Sequence, residues 1–331
     1  MNKKQILGMV IAAVLFIATG VSSVAINTWS KRSSESKESK LKSAIENLEG
    51  TDYSLPRDNY IAIVRVDGTI AEDDASSGLI SASGYSHSFT MDYIKDITDD
   101  SSNKGILLVV DSPGGSVYTS DELYYALMDY KTATGRPIYC YFESYACSGG
   151  YYISMAADEI YANRNTWTGS IGVISQMYDL TGLYEKLGIK EVDITSGRNK
   201  AMGSSGQSLT EEQRAIMQSL VDEAYEQFVG IVAQGRGMSA EKVKEIADGR
   251  ILSASQALSW NLIDGVSRYE EYQGHIREQL GRDIIFYEPE RENNIFASLF
   301  SKVQDMFPKS DTEVMTDFAN TLKRGLWYYA E

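Results

Sequence analysis

The chain has few of the residues on which many catalytic and cross-linked sites depend. Its 331 residues include two histidines, two cysteines and five prolines. Two cysteines, Cys140 and Cys147, exclude a scaffold held together by several disulfides. The histidines, His87 and His275, are the only imidazoles from which a catalytic serine could obtain its general base.

Basic residues are also few relative to acidic ones. The sequence has 31 lysines and arginines against 46 aspartates and glutamates, a formal net charge of −15. Proteins that bind nucleic acid carry a basic footprint, so this charge argues against a nucleic-acid partner. It also argues against broad adhesion to anionic lipid. The hydrophobic fraction of 43% is ample for a folded core.

One segment near the N-terminus has no charged residue at all, Ile6–Ile26. A helix over this segment would be about 31 Å long, which matches a bilayer core of about 30 Å. Because the segment exceeds the 7–15 apolar residues usual in a signal peptide, it predicts an uncleaved transmembrane anchor. A cleaved signal peptide is the alternative, since Ser23–Ala25 has the small-x-small pattern of a cleavage site. Basic residues flank the segment on both sides and do not predict its orientation.

The remaining chain divides by composition. We predict a cytoplasmic tip and anchor at 1–28, a polar linker at 29–58, an α/β domain at 59–281, and a C-terminal helical extension with an aromatic tail at 282–331. Strand-like and helix-like segments alternate through the α/β domain, which favours a largely parallel sheet.

Three local patterns refine this division. Thr210 and Gln213 predict a capped helix start, Ser120 a second helix cap, and Lys190–Thr195 a strand. The aromatic residues Trp327–Tyr329 are expected to dock on a neighbouring surface.

A serine followed by two glycines lies at a strand-to-helix turn, Ser148–Gly150. Backbone N–H groups at a helix N-terminus would point toward the serine, which could be a nucleophile or simply a helix cap. A second turn, Asp111–Val117, contains Gly114 and Gly115 after a buried strand. It could supply the backbone donors of an oxyanion hole or serve as a plain Pro-Gly turn.

The base for such a serine could be a lysine. His275 is predicted in a polar helix and His87 in a loop, and neither setting indicates an oriented imidazole. A neutral lysine can activate serine if burial or a nearby cation lowers its pKa from about 10.4 toward 7–8. Lys200, in a glycine-rich loop beside Arg198, is a candidate. A lone lysine in a polar loop is usually solvated, so spacing alone does not select it.

Six segments between Tyr60 and Val266 resemble, in order and spacing, the short single-domain form of the bacterial signal peptide peptidase SppA family. They are IAIVRVDGTI, KGILLVVDSPGGSV, ESYACSGGYYISMAADEIYA, TGSIGV, SGRNKAMGS and DGRILSASQALSWNLIDGV. The resemblance implies a ClpP/crotonase-like fold with an N-terminal transmembrane helix. It also implies a serine peptidase that needs neither cofactor nor metal.

The resemblance also implies roles for individual residues. Ser148 is expected to be the nucleophile and Lys200 its base, forming a Ser–Lys dyad. Gly114 and Gly149 are expected to donate to the oxyanion, and Ser170 to orient the lysine amine. Cys147 stands where the family has alanine, and we interpret it as a packing residue.

The same resemblance predicts the setting of the enzyme. The catalytic domain is expected on the outer face of a bacterial cytoplasmic membrane, in a ring-like homo-oligomer. Its substrates are expected to be membrane-derived peptides such as remnant signal peptides. The terminal LWYYAE could occupy a neighbour's groove. Two other hypotheses remain open: an acyl-CoA enzyme of the crotonase type, and a non-catalytic membrane scaffold.

Overall fold

The computed structural model describes residues 53–73, 84–289 and 327–329. The strands are β1 (Tyr60–Asp67), β2 (Asn103–Ser112), β3 (Gly114–Ser116), β4 (Ile138–Cys147), β5 (Glu159–Ala162), β6 (Trp167–Gly169), β7 (Ile251–Ser253), β8 (Gly265–Val266), β9 (Ile285–Tyr287) and β10 (Trp327–Tyr329). The helices are α1 (His87–Asp99), α2 (Val117–Thr134), α3 (Gly149–Ile153), α4 (Thr181–Leu187), α5 (Glu211–Arg236), α6 (Ala240–Lys244), α7 (Ala254–Ser259) and α8 (Tyr269–Leu280). A 3₁₀ turn, Ser154–Ala156, follows α3.

The main sheet has the order β7-β6-β4-β2-β1-β9, and β5 pairs with both β4 and β8. All of these pairs are parallel except β6–β7. The described chain is therefore an α/β fold with a parallel-rich sheet, as the alternation of segments predicts. A separate two-stranded sheet joins β10 to β3.

The central strands β1 and β2 are largely apolar because both faces of the sheet are covered. In β1, alternate side chains enter different cores: Ala62 and Val64 pack in the larger cluster, and Ile61 and Ile63 in the smaller one. The larger core lies against α1, α2, α3 and α5, and the smaller one against α8. This double burial explains the near-continuous hydrophobic sequence of β1 and β2.

The carboxyl ends of β2, β4 and β6 lie side by side in the sheet. The register pairs Ser112 at the end of β2 with Ala146 in β4, and Cys147 at the end of β4 with Gly169 in β6. Because the three strands are parallel neighbours, the turns that follow them lie together at the carboxyl-terminal end of the sheet. Both glycine-containing turns, Asp111–Val117 and Ser148–Gly150, lie at this end.

Two local predictions are wrong. Ser116, not Ser120, caps α2: the Ser116 Oγ accepts a hydrogen bond from the Thr119 N–H at 3.4 Å, while Ser120 is buried inside the helix. Lys190–Thr195 is irregular, because no strand among the described residues lies beside it to accept its backbone hydrogen bonds. The capping box of Thr210 and Gln213 is confirmed at the start of α5.

Residues outside the predicted limits 59–281 also pack onto the α/β domain. β9 pairs with β1, so the sheet continues past residue 281 into the stretch assigned to the C-terminal extension. Tyr53, from the predicted linker, packs edge-on against Tyr93 with ring centroids 5.3 Å apart. The predicted anchor Ile6–Ile26 lies outside the described residues. Within the described part of the chain, no helix has the length and apolar character needed to cross a membrane.

Candidate active site

Ser148 lies between β4 and α3 in a strained backbone conformation, with φ 52° and ψ −116°. A non-glycine residue at positive φ is uncommon, and such strain is found preferentially at functional sites. Two hydrogen bonds hold it: the Ser148 N–H donates to the Gly169 carbonyl at 2.8 Å, and the Ser148 carbonyl accepts from the Tyr152 N–H at 2.9 Å. The turn is therefore fixed by both neighbouring elements.

The Ser148 side chain is not used as a helix cap. It makes no capping hydrogen bond to α3. Its Oγ is fully buried and has no hydrogen-bond partner among the described residues. A buried hydroxyl without a partner costs stability, about 1–3 kcal/mol. This cost argues against the purely structural interpretation and leaves the hydroxyl available for chemistry.

Gly149 brings the serine turn against the second glycine turn. A Cβ at Gly149 would lie 3.1 Å from the Gly115 nitrogen and 3.3 Å from the Gly114 Cα. It would also lie 2.5 Å from the Ser120 Oγ, so no larger residue fits without rearrangement. The predicted pair of glycine turns is thus in direct contact, next to Ser148.

The two backbone donors of the Asp111–Val117 turn have different surroundings. The Gly114 N–H donates to the Ser112 Oγ at 3.1 Å. Ile70 bridges β3 from one side: its N–H donates to the Gly114 carbonyl at 2.9 Å, and its carbonyl accepts from the Ser116 N–H at 2.8 Å. Because successive residues of a strand point their polar groups to opposite sides, the Gly115 N–H faces away from Ile70. The family resemblance implies a donor role for Gly114 and none for Gly115.

Ser170 follows β6 as Ser148 follows β4, and it shares the unusual backbone, with φ 49°. Its N–H donates to the Arg250 carbonyl at 2.8 Å, and the residue is buried. Since Gly169, the preceding residue, binds the Ser148 N–H, the two serines occupy adjacent turns. The structure therefore brings Ser148, Gly149, Gly114 and Ser170 together.

Lys200 is not part of this cluster. It lies within residues 172–223, all of which the structure describes and none of which is buried. Its backbone N–H donates to the Gly197 carbonyl at 3.0 Å, and its exposed side chain has no hydrogen bond or ion pair within the described residues. The neighbouring cation, Arg198, is paired with Glu212.

The histidines have partners, contrary to the expectation from sequence. His87 begins α1 with a side chain only 12% exposed, its Nδ1 2.6 Å from the Tyr85 hydroxyl and its Nε2 3.1 Å from a Glu122 carboxylate oxygen. The imidazole is thus oriented, and the prediction that His87 lies in a loop without an oriented ring is wrong. Both ring nitrogens are engaged, so neither is free for Ser148. His275 is more exposed and contacts Glu159 at 3.2 Å.

Cys147 precedes the serine and points into the protein. It is fully buried, and its Sγ donates to the Trp167 carbonyl at 3.4 Å. Burial raises the pKa of the Cys147 thiol to about 12, which keeps it protonated at neutral pH. The interpretation as a packing residue agrees with this geometry. In the described residues, no group of three or more His, Cys, Asp or Glu side chains could hold a metal ion.

Comparison with known proteins identifies the family. The model of peptidase family S49 matches residues 131–282. A protein of Enterococcus faecium named as a signal peptide peptidase SppA is 40% identical over 219 residues, which cover 66% of this chain and 63% of that protein. A protein of Methanocaldococcus jannaschii named as a protease is 35% identical over 212 residues, which cover 63% of this chain and 67% of that protein.

A more distant relative, Protease 4 of Haemophilus influenzae, is 32% identical over 219 residues, covering 66% of this chain and 34% of the relative. The chain thus spans less than two thirds of the E. faecium protein and about a third of Protease 4. The family match at residues 131–282 includes the serine turn and the strands β4 and β6. The chain belongs to peptidase family S49, together with the proteins named SppA and Protease 4.

Proposed function

We propose that this chain is a membrane-anchored serine endopeptidase that hydrolyses membrane-derived peptides, such as remnant signal peptides, by means of a Ser–Lys dyad. The observation that carries the proposal is the strained turn at Ser148, whose buried, unpartnered hydroxyl lies beside the contact of Gly149 with Gly114 and Gly115. The names of the relatives support the peptidase class. The parallel-rich sheet is compatible with a ClpP/crotonase-like fold.

The proposed reaction divides its steps between Ser148 and Lys200. The Ser148 Oγ attacks the peptide carbonyl carbon and passes its proton to the neutral amine of Lys200. The peptide C–N bond then breaks, the leaving amine takes that proton, and water hydrolyses the resulting ester. Two backbone donors stabilise the oxyanion, and each such donor is typically worth about 100- to 1000-fold in rate.

We assign the donors to the N–H groups of Gly149 and Gly115. Gly149 is the first residue of α3, where helical N–H groups have no acceptor within the helix. Gly115 fits better than Gly114, because the Gly114 N–H already donates to Ser112. Gly114 retains a structural role, since its φ of 110° requires glycine at the start of β3.

We further propose that Lys200 reaches Ser148 from a neighbouring copy in a ring-like homo-oligomer. The stretch 172–223 contains no buried residue, yet it exposes large apolar side chains, with Val192 79% and Ile194 97% accessible. Exposed apolar surface of this kind is typical of an interface. An adjoining copy would bury the stretch and surround the lysine, and such burial lowers a lysine pKa.

The dyad is tested by hydrolysis of a fluorogenic peptide with apolar side chains from pH 6 to 10. Ser148→Ala and Lys200→Ala should each lose activity by at least about 1000-fold. Lys95→Ala, a change of an exposed lysine in α1 outside this stretch, should retain it. The wild-type rate should rise through an apparent pKa well below 10. Retained activity in Lys200→Ala would refute the assignment of the base.

Supply of the lysine from another copy has its own test. The inactive variants Ser148→Ala and Lys200→Ala are co-expressed in equal amounts so that they assemble together. If each site takes its serine and its lysine from different copies, random mixing restores about a quarter of the wild-type activity. If both residues come from one chain, the mixture stays inactive, and this part of the proposal is wrong.

A further inference from the structure

The helix that follows Ser148 is too short to be stable by itself. α3 has five residues, and its first N–H, that of Gly149, is one of the two proposed oxyanion donors. Ser148 has a strained backbone, and such strain persists only where surrounding contacts hold it. The position of the Gly149 N–H therefore depends on the contacts that tie α3 to its neighbours.

Tyr152 joins α3 to α2 through its side chain. It is fully buried, and its hydroxyl donates to the Asp121 carboxylate at 2.5 Å. Its ring lies edge-on against Tyr124 of α2, with ring centroids 5.6 Å apart. Its backbone N–H donates to the Ser148 carbonyl at 2.9 Å, so a displacement of Tyr152 is passed directly to the serine turn.

Gln227 of α5 closes this arrangement into a triangle of hydrogen bonds. Its Nε2 donates to the Tyr152 hydroxyl oxygen at 2.9 Å and to the Asp121 Oδ1 at 3.1 Å. Phe228, the next residue of α5, packs against the Tyr152 ring with ring centroids 5.1 Å apart. Because the Gln227 nitrogen can only donate, the proton of the Tyr152 hydroxyl is directed to Asp121.

The helices α2 and α3 each follow one of the two glycine turns. α2 begins at Val117, directly after β3 with its Gly115 N–H, and α3 begins at Gly149. Asp121 lies six residues after Gly115, and Tyr152 lies three residues after Gly149. The hydrogen bond between Asp121 and Tyr152 therefore fixes the two turns relative to each other, within about two helical turns of both donors.

We propose that Asp121 and Tyr152 form a clamp that sets the separation of the two oxyanion donors, and that both are positioning residues for the reaction at Ser148. The inference rests on the proposed function, because it takes the N–H groups of Gly149 and Gly115 to be the donors. Each side chain acts through the backbone of its own helix and not on the substrate. The effect on rate is large, because a misplacement of about 1 Å in a reacting geometry can cost about 100-fold.

The Tyr152 hydroxyl is tested by a change that keeps the ring. Tyr152→Phe should lower kcat for a fluorogenic peptide by about 10- to 100-fold and change KM by less than about twofold, because the donors act mainly in the transition state. Tyr60→Phe is the matched control. Tyr60 is equally buried and donates to the Asp100 carboxylate at 2.8 Å, but it begins β1, at the opposite end of the sheet from the serine turn.

Both variants lose one hydrogen bond from a tyrosine to a carboxylate. Their melting temperatures should therefore fall by similar amounts, about 3–10 °C. In Tyr60→Phe, kcat should change by less than about twofold. Equal kcat values in Tyr152→Phe and Tyr60→Phe would show that the Tyr152 hydroxyl only stabilises the fold, and would overturn the inference.

Asp121 provides a test by rescue. Asp121→Asn keeps an oxygen that can accept from the Tyr152 hydroxyl, whereas Asp121→Ala keeps none. In Asp121→Asn, kcat should stay within about threefold of wild type, and in Asp121→Ala it should fall as far as in Tyr152→Phe. The double variant of Asp121→Ala and Tyr152→Phe should be no slower than either single variant, because the clamp is lost only once. Losses that multiply in the double variant, or an Asn variant as slow as the Ala variant, would refute the clamp.

Covalent labelling of Ser148 separates this inference from the proposed function. The rate at which a fluorophosphonate labels Ser148 depends on the oxyanion donors but requires no peptide substrate. Hydrolysis that requires Ser148 and Lys200, with equal labelling rates in Tyr152→Phe and Tyr60→Phe, leaves the peptidase and removes the clamp. Labelling at least about tenfold slower in Tyr152→Phe than in Tyr60→Phe, in a chain that hydrolyses no peptide, leaves the clamp and removes the peptidase. A Ser148 that is neither labelled nor needed for hydrolysis overturns both.

Discussion

Replacement of Gly149 by alanine tests the contact of the two glycine turns on which the site depends. The added methyl group would lie 2.5 Å from the Ser120 Oγ and 3.1 Å from the Gly115 nitrogen. Both distances are below ordinary van der Waals contact, and the second neighbour is backbone. Overpacking of this kind costs about 1–3 kcal/mol, so the melting temperature should fall by about 2–10 °C. Activity should fall further, because the methyl group displaces the Gly115 N–H.

Ser120 provides a double-mutant cycle for the same contact. Its Oγ is buried without a hydrogen-bond partner among the described residues, so Ser120→Ala alone should leave stability unchanged or slightly raised. Because Ser120→Ala removes the nearest clashing atom, it should recover about 0.5–2 kcal/mol of the loss in Gly149→Ala. Gly230→Ala is the matched control. Gly230 lies in the middle of α5 and no atom lies within 4 Å of the added Cβ, so this change should raise the free energy of unfolding by about 0.5–1 kcal/mol. Thermal unfolding and peptide hydrolysis of the four variants measure these effects. Additive effects of Gly149→Ala and Ser120→Ala would refute this packing.

Three further experiments test an ion pair, the burial of the two cysteines and a helix cap. Burial opposes ionisation of Asp264, but hydrogen bonds from Arg236 and the Ile160 N–H outweigh it and lower the Asp264 pKa. The ionised Asp264 therefore stabilises the fold fully above about pH 4, and this stabilisation is lost as the pH falls through the folded-state pKa. In chemical denaturation, Asp264→Asn should therefore lower the free energy of unfolding by about 1–2 kcal/mol at pH 7 and by progressively less below pH 4. A difference between variant and wild type that stays constant with pH would contradict this. Burial raises the pKa of both the Cys140 and the Cys147 thiol to about 12. An aromatic disulfide reagent should therefore modify neither thiol before the protein unfolds. Fast modification of the native protein would show that Cys147 is accessible. Ser116→Ala should lower stability by about 1 kcal/mol through loss of the α2 cap, and no loss in thermal unfolding would contradict that role.

Local sequence patterns were sufficient for much of the fold. The alternation of strand-like and helix-like segments predicts parallel pairing, and the structure shows that the apolar runs of β1 and β2 are buried on both faces of the sheet. A serine followed by two glycines at a strand-to-helix turn made Ser148 a candidate, the family resemblance implied its role, and the structure brings it to Gly114 through the order of β2 and β4. Such turns are recognisable from sequence because they need specific backbone conformations.

Other features depend on long-range contacts that the sequence does not encode locally. The hydrogen bonds of Ile70 to Gly114 and Ser116, which leave the Gly115 N–H facing the other way, join residues more than 40 positions apart. The partners of His87 are Tyr85, two residues before it, and Glu122, which is 35 positions away. Lys190–Thr195 has the composition of a strand, but strand formation also requires a neighbouring strand to pair with.

The pairing of the C-terminal strand β10 with β3 also could not be predicted from the local sequence. Aromatic residues at the terminus predicted docking, but neither the acceptor strand nor the register could be derived from them. Pairing between residues more than 200 positions apart is determined by the whole fold.

The most direct test of the central claim is covalent labelling of the nucleophile. The full chain and its Ser148→Ala variant are treated with a fluorophosphonate, digested and mapped by mass spectrometry. If Ser148 is the nucleophile, the wild type carries one adduct on the peptide that contains Ser148, and the variant carries none. An adduct on another serine, or peptide hydrolysis that persists in Ser148→Ala, would contradict the account.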